Sequence, residues 1–253
     1  MREPWRAHPL AWIHRAEARA IATELRVPLR TFDGQGGLLR LSDPVMLRVT
    51  ETLTRAGIPY IGPGAAVMQL CYDKRAATER VAAAGIACPA DATSFPMVVK
   101  PRRGSDSLGV RIAGGGPLPN TEHYMAQELV IGAELTVAVL HGAVSSALRI
   151  DLPEGTLYSF ARKYLLRPRR EALGDAALAE RVQDTAVRIA DLLNVDWAAR
   201  VDFIHDPKRD RLCFLECDVA PLIGAGSAFS DSLLAAGMPR AEQLRRLILG
   251  ACS

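Results

Sequence analysis

The sequence lacks a long apolar run and a strong excess of one charge. Without an apolar run of membrane-spanning length, no transmembrane helix is expected, and frequent charges near the N-terminus interrupt any secretory core. The 31 basic and 28 acidic residues give a net charge of +3, which does not require an extended anionic surface as partner. We therefore predict that neither a nucleic acid nor a membrane is a partner.

Cysteine is sparse and irregularly placed. The five cysteines among 253 residues are an odd number, and their spacing does not match that of zinc ligands. Free thiols are typical of a reducing compartment, so the sequence predicts a cytoplasmic protein. The apolar content of 49% is sufficient to form one large buried core or a few lobes.

Lysine is also scarce, since only four of the 31 basic residues are lysines. A GC-rich genome would explain the excess of arginine without any function. A flexible ammonium group nevertheless contacts phosphate in ways that a rigid guanidinium does not. Lys74, Lys100 and Lys163 are therefore candidate phosphate ligands, whereas Lys208 lies in a predicted turn and is interpreted as a surface residue.

The most informative segment is an acidic hairpin over residues 200–221. Two apolar stretches predict strands joined by a turn around Pro207. Side chains alternate between the faces of a strand, so Glu216 and Asp218 share a face, and pairing can place Asp202 beside them. Clustered carboxylate oxygens suit a hard cation such as Mg²⁺. The alternative is a solvated strand face, but the apolar neighbours of these acids favour the metal site.

Helices and strands alternate along the rest of the chain. Apolar spacing and capping residues predict helices over 14–26, 41–57, 67–84, 176–193 and 240–251. Strands are predicted over 27–32, 97–100, 110–113, 134–142, 144–150 and 156–164. The polar loop at 101–109 has backbone amides that can surround phosphate oxygens, although most glycine-serine loops are simple connections.

Eight segments in order resemble the ATP-grasp enzymes, and within them the D-alanine:D-alanine ligase group: GIPYIGPG, DK, VVKPRRGSDSLGV, QELVIGAELTV, ARKY, RVDF, FLECDVAP and GSAFSDSLLAAGM. Each segment alone is a weak signal, but their order and spacing are specific. The resemblance implies an α/β protein of α+β lobes that hold ATP between a central lobe (65–128) and a C-terminal lobe (129–253). It also implies a reduced N-terminal α/β lobe over 1–64.

The resemblance implies a set of ATP and metal contacts. Lys74 and Lys100 correspond to lysines at the α- and β-phosphates, and Lys163 to a lysine near the γ-phosphate. The flap over the phosphates, the hinge at adenine and the acid at the ribose correspond to Ser105, Ser107, Gly109, Gln127, Glu128, Leu129, Val130 and Glu134. Asp202, Glu216 and Asp218 correspond to ligands of two Mg²⁺ ions, with Mn²⁺ as an alternative, which neutralise charge on the transferred phosphoryl group.

Four residues correspond to catalytic or substrate contacts of the group. Lys163, near the γ-phosphate, is one of them, and Arg200 corresponds to the arginine that polarises the acyl phosphate and the tetrahedral oxyanion. The alternative for Arg200 is a structural ion pair with one of the acids, and both roles are compatible. Ser227 corresponds to the serine that binds the carboxylate of the second substrate. Tyr164 corresponds to a tyrosine of the substrate loop.

The sequence departs from the family pattern at four places. Asp218 stands in place of asparagine, Asp106 in place of a substrate-binding serine, and Leu222 in place of an oxyanion-hole glycine. The N-terminal motifs that anchor the first D-alanine are absent, which argues against D-alanine as substrate. Asp106 is interpreted either as a partner for a cationic amine or as a solvated flap residue.

The resemblance implies an ATP-dependent carboxylate–amine ligase that forms an amide through an acyl phosphate. Its expected substrates are amino acids or small peptides, in specialised metabolism. One alternative is an ATP-binding module that has lost catalysis. Another is a ligase or kinase that acts on a peptide or carrier protein. A homodimer is a further expectation, because a partner chain could complete the short first lobe.

Overall fold

The computed structural model describes residues 11–28, 37–41, 43–117, 120–153, 155–166 and 168–250. In these ranges the helices are α1 (Ala11–Leu25), α2 (Asp43–Ala56), α3 (Ala65–Tyr72), α4 (Lys74–Ala83), α5 (Ala176–Leu193), α6 (Ala228–Ala235) and α7 (Arg240–Leu249). The strands are β1 (Met97–Pro101), β2 (Arg111–Ala113), β3 (Tyr124–Glu128), β4 (Ala133–Leu140), β5 (Ala143–Val144), β6 (Leu148–Ile150), β7 (Arg170–Ala172), β8 (Ala198–Asp206) and β9 (Arg211–Asp218).

The described strands form a small and a large sheet, both antiparallel. The small sheet has the order β2-β1-β3. The large sheet has the order β7-β6-β4-β8-β9, with β5 paired to β4. Strands β8 and β9 form the predicted hairpin, in which Arg200 pairs with Asp218 and Asp202 with Glu216. The small sheet therefore supplies the loop at 102–109, and the large sheet supplies the acids.

Helices cover both faces of the large sheet. Along β4, Leu135, Val137 and Val139 pack in a core with α2, α3, α4 and α5, whereas Ala138 and Leu140 pack in a second core with α1, α6 and α7. This alternation follows from the two-residue period of a strand. α5 is strongly amphipathic, and its buried residues are Val182, Ala186, Ile189, Ala190 and Leu193.

One predicted helix is divided in two. The sequence pattern predicts a continuous helix over 67–84, but α3 ends at Tyr72 and α4 begins at Lys74. Asp73 has φ −89° and ψ 93°, outside the helical region, and its side chain accepts a hydrogen bond from Ala76 N. Its carboxylate also pairs with Arg102 at 2.8 Å and with Arg103 at 3.2 Å. These contacts fix the break and place Lys74 at the first position of α4.

The strand predicted over 156–164 is wrong. Residues 156–159 form no strand, and Arg162–Leu166 is a π-helical turn. Leu165 and Leu166 are both more than 70% exposed, so this segment does not pack as a sheet strand. The strand predicted over 27–32 lies mostly outside the described residues.

Candidate active site

A cavity of about 780 Å³ is lined by residues of both sheets. Its floor includes side chains of β1, β3, β4, β8 and β9, and its wall includes the loop after β1. It contains most of the predicted nucleotide residues, namely Lys74, Lys100, Ser105, Ser107, Gln127, Glu128, Leu129, Val130, Glu134 and Lys163, together with Asp202 and Glu216. The structure thus brings together residues that are more than a hundred positions apart in the sequence.

Two of the four lysines converge on Glu216. The Nζ atom of Lys74 lies 3.6 Å from Glu216 Oε2, and that of Lys163 lies 3.8 Å from Oε1. Lys74 also donates a hydrogen bond to the carbonyl of Gly104 in the flap. Lys163 lies over the ring of Tyr158, 5.2 Å from its centroid. The convergence creates a positive region at the end of the cavity where β9 ends.

Lys100 is buried beneath this region. Its ammonium group donates to the carbonyl of Leu215 at 3.2 Å. The pKa of Lys100 is lowered to about 8: burial is the largest cause, Glu216 opposes it, and Lys74 adds to it. Burial also acts on Glu216, but Lys74, Lys163 and Arg200 together hold the pKa of Glu216 well below its usual value. Glu216 therefore stays ionised as the shared counter-charge of these cations.

Arg200 is surrounded by the three predicted metal ligands. Its Nε atom lies 2.9 Å from Asp202 Oδ1, Nη1 lies 3.2 Å from Asp218 Oδ2, and Nη2 lies 3.8 Å from Glu216 Oε1. Asp202 also accepts from Thr136 Oγ1 at 2.7 Å. Burial raises the pKa of Asp218, as do Glu216 and Asp202, while Arg200 lowers it. The expected ion pair of Arg200 is thus present, and it neutralises part of the acidic cluster.

The acids fit Mg²⁺ in their donor chemistry, since all offer carboxylate oxygens. Within the described ranges, however, no group of three His, Cys, Asp or Glu side chains is arranged to hold a metal ion. Asp202 and Glu216 are direct cross-strand partners, but their oxygens face Arg200 and the lysines. Magnesium in nucleotide sites takes few protein carboxylates and several phosphate or water oxygens. The pair Asp202 and Glu216 suits such a partial ligand set.

The loop over the lysines has an unusual backbone. Gly104 and Gly109 have φ values of +156° and +75°, and Asp106 and Ser107 both have φ of +59°. A Cβ atom at Gly109 would lie 2.9 Å from the Pro101 side chain, so this position requires glycine for space as well as conformation. Gly109 itself does not line the cavity, but it supports Ser105 and Ser107, which do.

The same cavity contains the predicted adenine and ribose residues. Gln127 is buried and donates to Pro89 O at 3.0 Å. Glu128 accepts from Arg211 at 2.7 Å and from Ala90 N at 3.0 Å, so its carboxylate is already engaged by the protein. Glu134 accepts from Tyr158 N at 3.2 Å. Burial raises the pKa of Glu134 to about 7, while the Tyr158 amide and Lys163 lower it.

Two further predicted site residues are not placed in the cavity: one lies away from it, and the side chain of the other lies outside the described residues. Ser227 caps α6 by accepting from Ser230 N at 3.1 Å, and it lines neither this cavity nor the smaller one described below. The side chain of Tyr164 lies outside the described residues. The interpretation of Lys208 as a surface residue was incomplete, because this exposed lysine also lines the large cavity. All four lysines of the chain therefore border the same cavity.

A second cavity of about 60 Å³ adjoins the first and shares Lys74, Lys163 and Glu216 with it. Four residues singled out in the sequence line this cavity: Arg200, Asp218, Asp106 and Leu222. Its other lining residues are His14, Asp43, Met68, Cys71, Tyr72, Gly104, Ser105, Cys217, Val219 and Ala220. Sequence reasoning missed Asp43 at this site. An acid before Pro44 is an ordinary helix start, so the sequence offers no signal for its role.

The loop after β9 is held by α1. Glu17 accepts hydrogen bonds from Ile223 N and Gly224 N, and it pairs with Arg40, whose Nη2 also donates to Pro221 O at 2.7 Å. These buried bonds fix the backbone on both sides of Leu222. The sequence carries no local signal for this anchor, since Glu17 and Ile223 are more than two hundred positions apart.

The comparisons agree with this architecture. The family model described as D-ala D-ala ligase C-terminus matches residues 66–249. A D-alanine--D-alanine ligase of Syntrophotalea carbinolica is 30% identical over 228 residues, which are 80% of this chain and 73% of that protein. Among the described residues, no helix is long and apolar enough to cross a membrane.

Two solved structures are similar in fold. The D-alanine--D-Alanine ligase from Bacillus anthracis complexed with ATP has a TM-score of 0.73 and 20% identity, and the match covers 94% of this chain and 93% of that one. The VanG D-Ala:D-Ser ligase from Enterococcus faecalis has a TM-score of 0.69 and 24% identity, covering 83% and 69%. The fold is therefore ATP-grasp, and the chain belongs to the D-alanine:D-alanine ligase family of ATP-grasp ligases.

Proposed function

We propose that this chain is an ATP-dependent carboxylate–amine ligase that activates a small carboxylic acid by phosphorylation and transfers the acyl group to an amine. The convergence of Lys74 and Lys163 on one carboxylate, in a cavity between two sheets, carries the proposal. The relative with the ATP-bound structure supports ATP as the nucleotide. The lobe boundaries near residues 64 and 128 belong to the same proposal.

The residues of the large cavity would divide the work on ATP. Lys100, beneath the flap, and Lys74, at the start of α4, would hold the inner phosphates, and Lys163 would hold the terminal one. The ammonium groups of Lys74 and Lys163 contact Glu216 at 3.6 Å and 3.8 Å. These distances are long enough for phosphate oxygens to compete with Glu216. Mg²⁺, held by Asp202 and Glu216, would neutralise charge on the transferred group when bound.

Arg200 would stabilise the oxygen that becomes negative when the amine attacks the acyl phosphate. Its guanidinium lies at the boundary with the small cavity, where it is held by Asp202 and Asp218. A cation fixed by two carboxylates requires little reorganisation during the reaction. The step would form an amide bond between carbonyl carbon and amine nitrogen and break the bond from that carbon to phosphate, releasing inorganic phosphate and a proton.

The substrates belong to the class of small amino acids or short peptides. The relatives are named for D-alanine and D-serine. Asp106 and Leu222 line the small cavity of this chain, in place of the serine and glycine of the family pattern. We therefore infer a substrate pair different from two D-alanines, in specialised metabolism. The cytoplasmic location and the homodimer remain predictions.

The test is ADP release from Mg-ATP with a panel of carboxylate and amine pairs, with product identified by mass spectrometry. Asp202→Asn combined with Glu216→Gln should reduce turnover by at least about a hundredfold, because the negative charge of both carboxylates at the metal would be removed. Asp184→Asn, an exposed acid on α5, is the matched control. Unchanged turnover in the double variant would contradict the assigned site.

Hydroxylamine distinguishes the remaining alternatives. A ligase that forms an acyl phosphate yields a hydroxamate when hydroxylamine replaces the amine. A kinase acting on a hydroxyl group yields a stable phosphorylated product and no hydroxamate. A module that has lost catalysis binds Mg-ATP but releases no ADP with any acceptor, including peptides and carrier proteins.

A further inference from the structure

The small cavity has a location that restricts its occupant. It shares Lys74, Lys163 and Glu216 with the nucleotide cavity, so an occupant lies beside the phosphate-binding lysines. Its volume is about 60 Å³, whereas one water takes roughly 30 Å³ in the liquid. The cavity therefore admits a group of a few non-hydrogen atoms, such as the amine end of a small molecule.

The charges that line this cavity are not balanced. Arg200 is engaged by Asp202 and Asp218, and both lysines are engaged by Glu216. Asp43, at the start of α2, accepts a hydrogen bond from Ser105, and the nearby cation Lys74 is already paired with Glu216. A cation that enters the cavity beside Asp43 would stabilise the ionised form of its carboxyl.

The surroundings of Asp43 favour a cation. The pKa of its carboxyl is raised to about 8: burial is the largest cause, the nearby charges of Asp218 and Asp106 also raise it, and Lys74 and a hydrogen bond from Ser105 lower it. Burial is the largest cause that raises the pKa of Tyr72, and the Asp43 carboxylate also raises it. A carboxylate buried among others is stabilised by a cation within about 4 Å. A phosphate or carboxylate group placed directly against Asp43 would be repelled by its ionised form.

We propose that Asp43 is a specificity-determining residue that binds the ammonium group of the amine substrate in the small cavity. This inference rests on the proposed ligase function for the identity of the occupant, but its geometry stands on the cavity itself. The ammonium group would lie between Asp43, on the first lobe, and Arg200, on β8, at the end of the nucleotide cavity. The acidic lining selects an amine that brings no second carboxylate into the same space.

The structure of the first lobe explains why this acid reaches the site. α2 packs through Val45, Met46 and Val49 in the core that it shares with α3 and the large sheet. That packing places the first residue of α2 at the small cavity. A short lobe can therefore still contribute one substrate contact, although it lacks the family's N-terminal motifs.

The experiment measures binding of alaninamide, a small amine without a carboxylate, to the full chain by calorimetry with and without magnesium and a non-hydrolysable ATP analogue. N-acetylalaninamide is the uncharged comparison probe. We expect alaninamide to bind and its affinity to fall at least about tenfold in Asp43→Asn, because a charge-assisted hydrogen bond is lost. Asp184→Asn should bind alaninamide like the natural chain.

Asparagine has nearly the same size and shape as aspartate, so Asp43→Asn should fold, and circular dichroism checks this directly. The proposal is overturned if the affinity for alaninamide is the same in Asp43→Asn, if N-acetylalaninamide binds equally well, or if neither probe binds the natural chain. Failure of the ligase function is separate. If alaninamide binding depends on Asp43 but no substrate pair releases ADP, the amine subsite stands and the ligase function fails.

Discussion

At the scale of single residues, Glu216 explains how a site for a polyanion is stable without one. It contacts Lys74, Lys163 and Arg200 at 3.6–3.8 Å. Three cations so close to one another would repel in the absence of a counter-charge. Because none of these contacts is a short hydrogen bond, phosphate oxygens can replace them at a small cost. Under the proposed function, Glu216 would then be available to hold Mg²⁺.

The buried ammonium of Lys100 predicts a pH dependence. Its pKa is lowered to about 8, mainly by burial, so the ammonium is lost as the pH rises through 8. The neutral amine binds phosphate poorly. We expect kcat/KM for ATP, which reports the free enzyme, to fall about tenfold for each pH unit above about 8.

Lys100→Arg is the control for this assignment. A guanidinium stays charged throughout the accessible range, so the variant should be less active at pH 7 but should lack the decline above pH 8. The measurement is initial-rate kinetics at subsaturating ATP from pH 6.5 to 10. A decline of the same shape in Lys100→Arg would assign the titration to another group.

At the scale of elements, the break between α3 and α4 positions the flap. Asp73 caps α4 and pairs with Arg102 and Arg103 at the base of the loop over the phosphates. Asp73→Asn keeps the cap but weakens the ion pairs, whereas Asp73→Ala removes both. We expect the alanine variant to lose about 1 kcal/mol of unfolding free energy from the cap, and both variants to raise the KM for ATP.

Denaturant unfolding and ATP kinetics separate the two effects. If Asp73 acts only as a cap, Asp73→Asn will retain the natural KM for ATP. If it also orders the flap, Asp73→Asn will raise KM while keeping most of the stability. An unchanged KM in both variants would show that the flap does not depend on this ion pair.

The approach of β4 to β8 depends on Gly132, which directly precedes β4. A Cβ atom at Gly132 would lie 2.0 Å from the carbonyl oxygen of His205, a backbone atom that cannot rotate away. Gly132→Ala should therefore push the strands apart beside the cavity and reduce unfolding free energy by about 2 kcal/mol. Gly114→Ala, where a Cβ atom meets nothing within 4 Å, should change it by less than about 0.5 kcal/mol. Equal melting temperatures for both variants would contradict this account.

The hydrophobic pattern of the sequence predicts helices and strands well where the same residues are buried in the folded protein. The amphipathic period of α5 and the alternation in β8 are repeated in the buried residues, whereas β9 buries Cys213 and Phe214 in succession, where its pairing with β8 is irregular. The break at Asp73 could not be predicted, because its arginine partners come from a loop about thirty residues later. The segment 156–164 has strand composition, but the exposed Leu165 and Leu166 show that no sheet edge receives it. Asp43 reaches the site only through the packing of a whole helix.

At the scale of the whole molecule, the two sheets have separate cores of unequal size. In the described ranges, the small sheet is centred on Met97, Val99 and Ala126, whereas the core of the large sheet extends into four helices. Polar links join the sheets, among them the Lys100 bond to Leu215 and the Arg211 bond to Glu128. A small core and polar links favour local opening of this part of the chain.

Mg-ATP should therefore stabilise the small sheet selectively. A ligand that contacts both sheets binds only the closed arrangement, and at a hundred times its Kd it adds about 2.7 kcal/mol to that state. We expect hydrogen exchange in β1–β3 to slow by at least about tenfold with Mg-ATP, while exchange in β8, paired on both sides, changes little. Chelation of magnesium with EDTA should remove most of the effect, because the phosphate charge is then left uncompensated. Equal slowing in all strands would show that the sheets open as one unit, and no slowing would contradict nucleotide binding between them.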